Sequence, residues 1–209
     1  MSDELPAGDF SPWIEGMLGA IRGAADSDVP CAGCTACCTA SQFIHIAPDE
    51  TDTLAHVPRE LLFPAPRAPR GHVLMGYDSR GHCPMLVENE CSIYAYRPRT
   101  CRTYDCRVFA ATGVEIDEPD KELIAQRARR WRFSYPSVDD RARHDAALAA
   151  GAFLAAHRDA LPDGAVPSNA TQFAVLAIEL SELFAGRVTP EIDVVRAELS
   201  RRMEARDAR

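Results

Sequence analysis

Lysine is almost missing from this chain. Lys121 is the only one, and arginine supplies the rest of the 23 cationic residues. Against 31 acidic residues they leave a formal net charge of -8, which argues against general nucleic-acid binding. Long apolar runs are missing too: no stretch approaches the roughly 20 residues that span a bilayer, so no membrane partner is expected. The chain does not open on a basic segment followed by an apolar run, so no secretory signal is expected. The expected address is therefore the cytoplasm, where thiols stay reduced. No glycine-rich phosphate loop is present, since Gly71, Gly76 and Gly81 do not form one. No paired carboxylates or Ser/His arrangement suggests hydrolysis. What remains is an ordinary 46% apolar content in 209 residues, enough for about one domain with a core.

Cysteine is where the sequence is rich. Cys31, Cys34, Cys37, Cys38, Cys83, Cys91, Cys101 and Cys106 lie in the first half, and none follows Cys106. Packing does not call for thiols at that density, and without a secretory signal a disulfide framework is disfavoured. Holding a metal ion or an iron–sulfur cluster does call for several soft thiolates close together. Two residues between cysteines let both sulfurs turn toward one ion, so Cys31-x2-Cys34-x2-Cys37 offers three sulfurs to one centre. The nested spacing is similar to the iron–sulfur run of bacterial ferredoxins, in which a distal cysteine followed by proline also ligates. Cys83-Pro84 is the candidate for that distal role. Adjacent sulfurs such as Cys37 and Cys38 tend to point apart, so each can serve a different centre. Eight thiolates can fill two four-cysteine sites, or supply one cluster and leave reactive thiols over. The spacing leans to an iron–sulfur cluster, [4Fe-4S] in type, with zinc as the alternative.

The fold expected is α+β, with a cysteine-rich half of short strands and loops over residues 1–110 and a helical half of about four helices over 111–209. The alternative is a single domain made of both halves. Apolar residues at helical spacing predict a helix over 11–25, broken by residues 26–30. A short strand is expected at 42–46 and a helix from 48 to about 57. A proline-rich loop should follow at 63–71, then two strands within 72–87 around a turn at Asp78-Ser79-Arg80-Gly81. Beyond 110, helices are expected at 120–131, from the capping box at Ser137-Val138-Asp139-Asp140 to about 161, and at 170–185. Thr189-Pro190 should cap and open the last helix, with Ile192, Val195, Leu199 and Met203 on one face.

Taken together, Cys31-x2-Cys34-x2-Cys37-Cys38, Gly81-His82-Cys83-Pro84-Met85-Leu86, Cys91-Ser92-Ile93-Tyr94, Arg97-Pro98-x2-Cys101-Arg102 and Cys106 closely resemble the CxxCxxCC (YkgJ-type) family of cysteine-cluster proteins. The resemblance covers about residues 28–110. It implies that all eight cysteines are metal ligands, for zinc or iron. The flagellin lysine N-methylases look like larger relatives. They imply an enzyme or accessory protein in methyl transfer from S-adenosylmethionine to a protein or small-molecule acceptor. The alternative is a metal-binding module without a reaction of its own, structural or electron-carrying. The catalytic residues and the substrate are not indicated.

Around the cysteines, Arg97, Arg99 and Arg102 are placed to offset thiolate charge. Tyr94 and Tyr96 are expected to cover the site or join the core. His82 is read as a satisfied or solvated histidine rather than a ligand, and Arg127, Arg129, Arg130 and Arg132 as a solvated helix end.

Overall fold

The computed structural model describes residues 4–207 apart from Asp28, Pro30, Ala32, Arg67 and Arg187. Along the chain run β1 (Leu5–Asp9), α1 (Phe10–Ile21), β2 (Ile44–Ile46), α2 (Thr51–His56), β3 (Leu62–Pro64), β4 (Val73–Met75), β5 (Leu86–Val87) and β6 (Glu90–Cys91). Then follow α3 (Arg99–Thr103), α4 (Arg107–Thr112), α5 (Glu122–Ala128), β7 (Trp131–Ser134), α6 (Val138–Ala156), α7 (Ala170–Leu180) and α8 (Ile192–Asp207). The fold is α+β, as the sequence suggests. Among the described residues, no helix is long and apolar enough to cross a membrane. The chain divides into two compact units, both discontinuous. A mainly helical unit is made of Met1–Leu18, Arg107–Glu115 and Ala128–Arg209, and a cysteine-bearing unit of Gly19–Cys106 and Ile116–Arg127.

The helical unit is built on α6, α7 and α8. Ala150, Leu154, Leu161, Phe173, Ala177, Leu180, Val195 and Leu199 are buried together. The capping box at the start of α6 is present: Ser137 Oγ accepts from the Asp140 amide, and Asp140 accepts from the Ser137 amide. Asp140 also accepts from the Ser11 amide at 3.0 Å, so one carboxylate serves the first turns of α6 and α1. Hydrogen bonds from Ser11 and Ser137 hold its carboxyl well below the usual carboxylate range.

Two strands of the helical unit were not expected. β1 pairs in parallel with β7, Leu5 opposite Trp131 and Asp9 opposite Ser134. The helix expected over 120–131 therefore ends at Ala128, and the arginine-rich stretch leads into a strand whose Trp131 and Phe133 face inward. Helix α1 stops at Ile21, short of residue 25. Gly23 takes φ 73, and its amide and that of Ala24 return to the carbonyls of Ala20 and Gly19. That glycine stop forms before the Asp26–Pro30 breakers are reached. Helix α8 begins at Ile192 rather than at Thr189-Pro190, though Val195 and Leu199 are buried on one face as expected.

Helix α6 meets α4 at Gly151, where an added Cβ would lie 2.3 Å from the Thr112 carbonyl oxygen. No side-chain rotation relieves a clash with backbone. Gly151→Ala is expected to lower stability by about 1–3 kcal/mol, the usual cost of overpacking, in chemical denaturation.

His144 is buried in the same unit, stacked on Phe10 with ring centroids 4.4 Å apart. Its Nε2 lies 3.2 Å from the Ala110 carbonyl and its Nδ1 2.6 Å from the Tyr135 hydroxyl. A neutral ring that donates from Nε2 and accepts at Nδ1 satisfies both contacts. Burial lowers its pKa from the ordinary 6.5. The unfolded chain therefore takes up this proton first, and stability should fall as pH drops below about 6.5 toward the lowered folded value. Urea unfolding across this range should show that decline in the wild type and a flatter profile in His144→Gln.

Candidate metal centre

The cysteine-bearing unit has a small core: Ile44, Ile46, Val57, Met75, Met85 and Ile93 are buried together, with Cys83, Cys91 and Cys101 packed against them. Its sheet has the order β2-β4-β3, antiparallel throughout. β3 carries Pro64 at an edge, where a missing amide donor is tolerated, so the expected proline-rich loop starts only after that strand. The two strands expected within 72–87 exist but do not pair with each other. β4 joins this sheet, and β5 pairs with β6 in a separate hairpin.

That hairpin positions two cysteines. Leu86 pairs with Cys91, and the Leu86 amide donates to the Cys83 carbonyl at 2.9 Å. Glu88 and Asn89 both take positive φ, 50° and 64°, which gives the tight turn between β5 and β6. The Cys83 amide in turn donates to the Cys38 carbonyl at 2.7 Å. Upstream, the expected turn is present: the Gly81 amide bonds the Asp78 carbonyl, and the Asp78 carboxylate accepts from the amides of Arg80 and His82. The His82 amide first, then the Arg80 guanidinium and amide, bring the Asp78 carboxyl down to about 2. Cys101 lies in α3, whose first turn is held by Glu50. One carboxylate oxygen takes the Ala47 amide at 2.8 Å, and the other takes the Arg99 amide.

A second set of contacts draws the Cys31 run toward Cys106. The Ser27 amide donates to the Arg102 carbonyl at 2.8 Å, its hydroxyl bonds the buried Asp105 carboxylate at 3.0 Å, and Asp26 pairs with Arg102 at 3.2 Å. The Cys34 amide closes a turn on the Cys31 carbonyl at 2.8 Å. Cys37 opens a 3-10 turn over Cys37–Thr39. In the sequence Asp26 and Ser27 read only as helix breakers and Glu50 only as part of a helix start, while Asp105 carries no signal. Asp–Ser and Glu–amide bonds between distant residues leave no local signal.

The thiol electrostatics follow this division. Burial first, then the charges of Cys106, Cys31, Cys34 and Cys38 push the Cys37 thiol well above its ordinary value. Burial pushes Cys38 up to about 11, and its nearest thiol influences are Cys83 and Cys91 ahead of Cys34 and Cys31. Burial raises Cys101 to about 12, with further contributions from Cys83, Cys38 and Cys91. Cys31 and Cys83 are also raised, by burial foremost. The neighbours of Cys37 and Cys38 thus differ although the residues are adjacent. Cys106 is the thiol that acts most strongly on Cys37, and Cys83 the one that acts most strongly on Cys38.

No disulfide joins the eight cysteines among the described residues. Among the described residues, no three Cys, His, Asp or Glu side chains already stand together as a set that could clasp an ion. As donors, the eight thiols match the all-sulfur coordination that zinc and iron–sulfur clusters take.

The remaining candidates lie around these groups. Arg99 pairs with Asp49 at 2.7 Å, and Arg102 with Asp26. Tyr94 and Tyr96 are exposed, at 54% and 43%, and so neither joins the core. Tyr94 lies against the Arg97 guanidinium, and Tyr96 stacks on His56. His45, in β2, shares a 2.9 Å contact with His72.

Residues 30–127 match the family model CxxCxxCC, described as a "Putative zinc- or iron-chelating domain". No curated protein and no solved structure matches the chain significantly. The matched stretch contains every cysteine and nearly all of the hydrogen bonds that gather them.

Proposed function

We propose that the cysteine-bearing unit is a metal-binding module with two four-thiolate centres. Cys31, Cys34, Cys37 and Cys106 hold one, and Cys38, Cys83, Cys91 and Cys101 hold the other. The observation that carries this reading is the divergence of Cys37 and Cys38. The field at the first comes foremost from Cys106 among the thiols, and that at the second from Cys83. The backbone contacts support the same division: Cys38 to Cys83, Cys83 through Leu86 to Cys91, and Ser27 to Asp105 beside Cys106.

Bound zinc would supply a structural staple, and a bound iron–sulfur cluster one-electron chemistry. The nested spacing of Cys31, Cys34 and Cys37, with Cys106 as a fourth thiol, favours a [4Fe-4S] cluster at the first centre. Four protein sulfurs at each centre leave no coordination position for a substrate, whereas catalytic zinc keeps one open. That favours an electron-carrying or structural role over methyl transfer from S-adenosylmethionine.

The test is metal content in protein purified without oxygen. Cys34→Ser and Cys91→Ser should each remove about half of the metal, and the double variant nearly all of it, because each site would lose one of its four ligands. His82→Ala should leave the content unchanged. Loss of all metal from either single variant would mean one shared centre and would contradict the division. Iron with acid-labile sulfide and broad visible absorption would support clusters. Colourless protein carrying about two zinc ions after anaerobic reconstitution would support the structural role instead.

A further inference from the structure

Two histidines that take no part in the thiolate centres, His45 and His72, meet across 27 residues. The sheet β2-β4-β3 brings them together. In β2, Ile44 and Ile46 are buried, and the half-buried His45 between them faces the other side of the sheet. His45 stands opposite Leu74 of β4. His72 immediately precedes β4 and is also half-buried. The two-residue alternation of side chains makes it the diagonal neighbour of His45 on that outer face.

Both backbones are fixed. The Thr100 hydroxyl donates to the His45 carbonyl at 2.8 Å. The His72 amide donates to the Pro69 carbonyl at 3.3 Å, and the His72 carbonyl accepts from the Ala65 amide at 3.0 Å. Gly71, at φ 95°, lets this turn close on Pro48, where an added Cβ would lie 3.3 Å from the proline Cβ. The two rings are inclined by 28° with centroids 5.0 Å apart, and His45 Nε2 lies 2.9 Å from His72 Nδ1. Among the described residues, neither ring has another hydrogen-bond partner. A lone bond between half-buried imidazoles competes with water and contributes only about 0.5–1.5 kcal/mol.

The same separation suits a cation. Two nitrogens on one ion, each about 2.0–2.1 Å from it, lie about 2.9 Å apart at a right angle and about 3.4 Å apart at the tetrahedral angle. From this geometry we infer that His45 and His72 form a further metal site, separate from the cysteines, for a late first-row divalent cation such as nickel, copper or zinc. His45 Nε2 and His72 Nδ1 are its ligands. The ion replaces the shared proton, and the ring that donated carries its proton on its other nitrogen instead. Water fills the remaining positions. An ion held by two side chains exchanges readily and is lost on desalting, unlike one held by four thiolates.

Calorimetric titration of nickel into the full chain, zinc-loaded and desalted, tests this. The wild type should take up about one nickel ion per chain, since imidazole suits nickel. His45→Ala and His72→Ala should each abolish that uptake. His56→Ala, which changes a ring stacked on Tyr96, should keep it. Circular dichroism checks that each variant is folded, and if one histidine variant is not, the other decides alone. No uptake by the wild type would overturn the inference, as would uptake retained in either folded histidine variant. Thiolate-to-nickel absorption accompanying the uptake would place the ion on the cysteines and overturn it as well. The comparison of wild type with variants reads the histidine site whatever number of zinc ions the cysteines hold.

Discussion

Thiolates crowded into one small volume repel each other unless a cation stands among them. The cysteine-bearing unit is organised by that constraint. Burial and mutual charge push Cys38 up to about 11 and Cys101 up to about 12. A metal ion reverses the balance: it stabilises the ionised sulfurs, and the affinity it gains becomes folding free energy. Six buried side chains form this unit's core cluster, with Leu54, Leu61, Leu62, Val73 and three cysteines packed against it. Glu50, Asp78 and the Ser27–Asp105 pair serve the same end. Each fixes a turn or helix end next to a cysteine and so lowers the entropy lost when sulfurs converge.

The helical unit rests on a different principle. Its stability comes from apolar burial along α6, α7 and α8, and from polar groups satisfied in full: the Asp140 carboxylate with its amide donors and the neutral His144 between Ala110 and Tyr135. The chain thus joins a segment stabilised mainly by packing to one that is suited to stabilisation by ligation.

Features with a local cause were legible in the sequence. The capping box at Ser137, the all-round apolar α7 and the turn at Asp78–Gly81 all occur where their residue types predict them. The eight cysteines stood out from spacing alone, and the tendency of adjacent sulfurs to diverge anticipated the different surroundings of Cys37 and Cys38. Features fixed by distant partners were not legible. β1 and β7 pair across more than a hundred residues, and the arginines before Trp131 disguise the strand as a helix end. The partner of Cys83 could not be read from the proline that follows it, because its surroundings are set by the hairpin to Cys91 and by the Cys38 carbonyl. Arginine roles diverged for the same reason: three similar side chains near Cys101 differ only in which carboxylates or rings lie opposite them.

The central claim is that sulfur alone surrounds the metal. X-ray absorption at the metal edge of anaerobically purified protein tests it most directly. The account predicts a first shell of about four sulfurs per metal, near 2.3 Å for zinc, in the wild type and unchanged in His82→Ala. A shell containing imidazole nitrogen or carboxylate oxygen would contradict it.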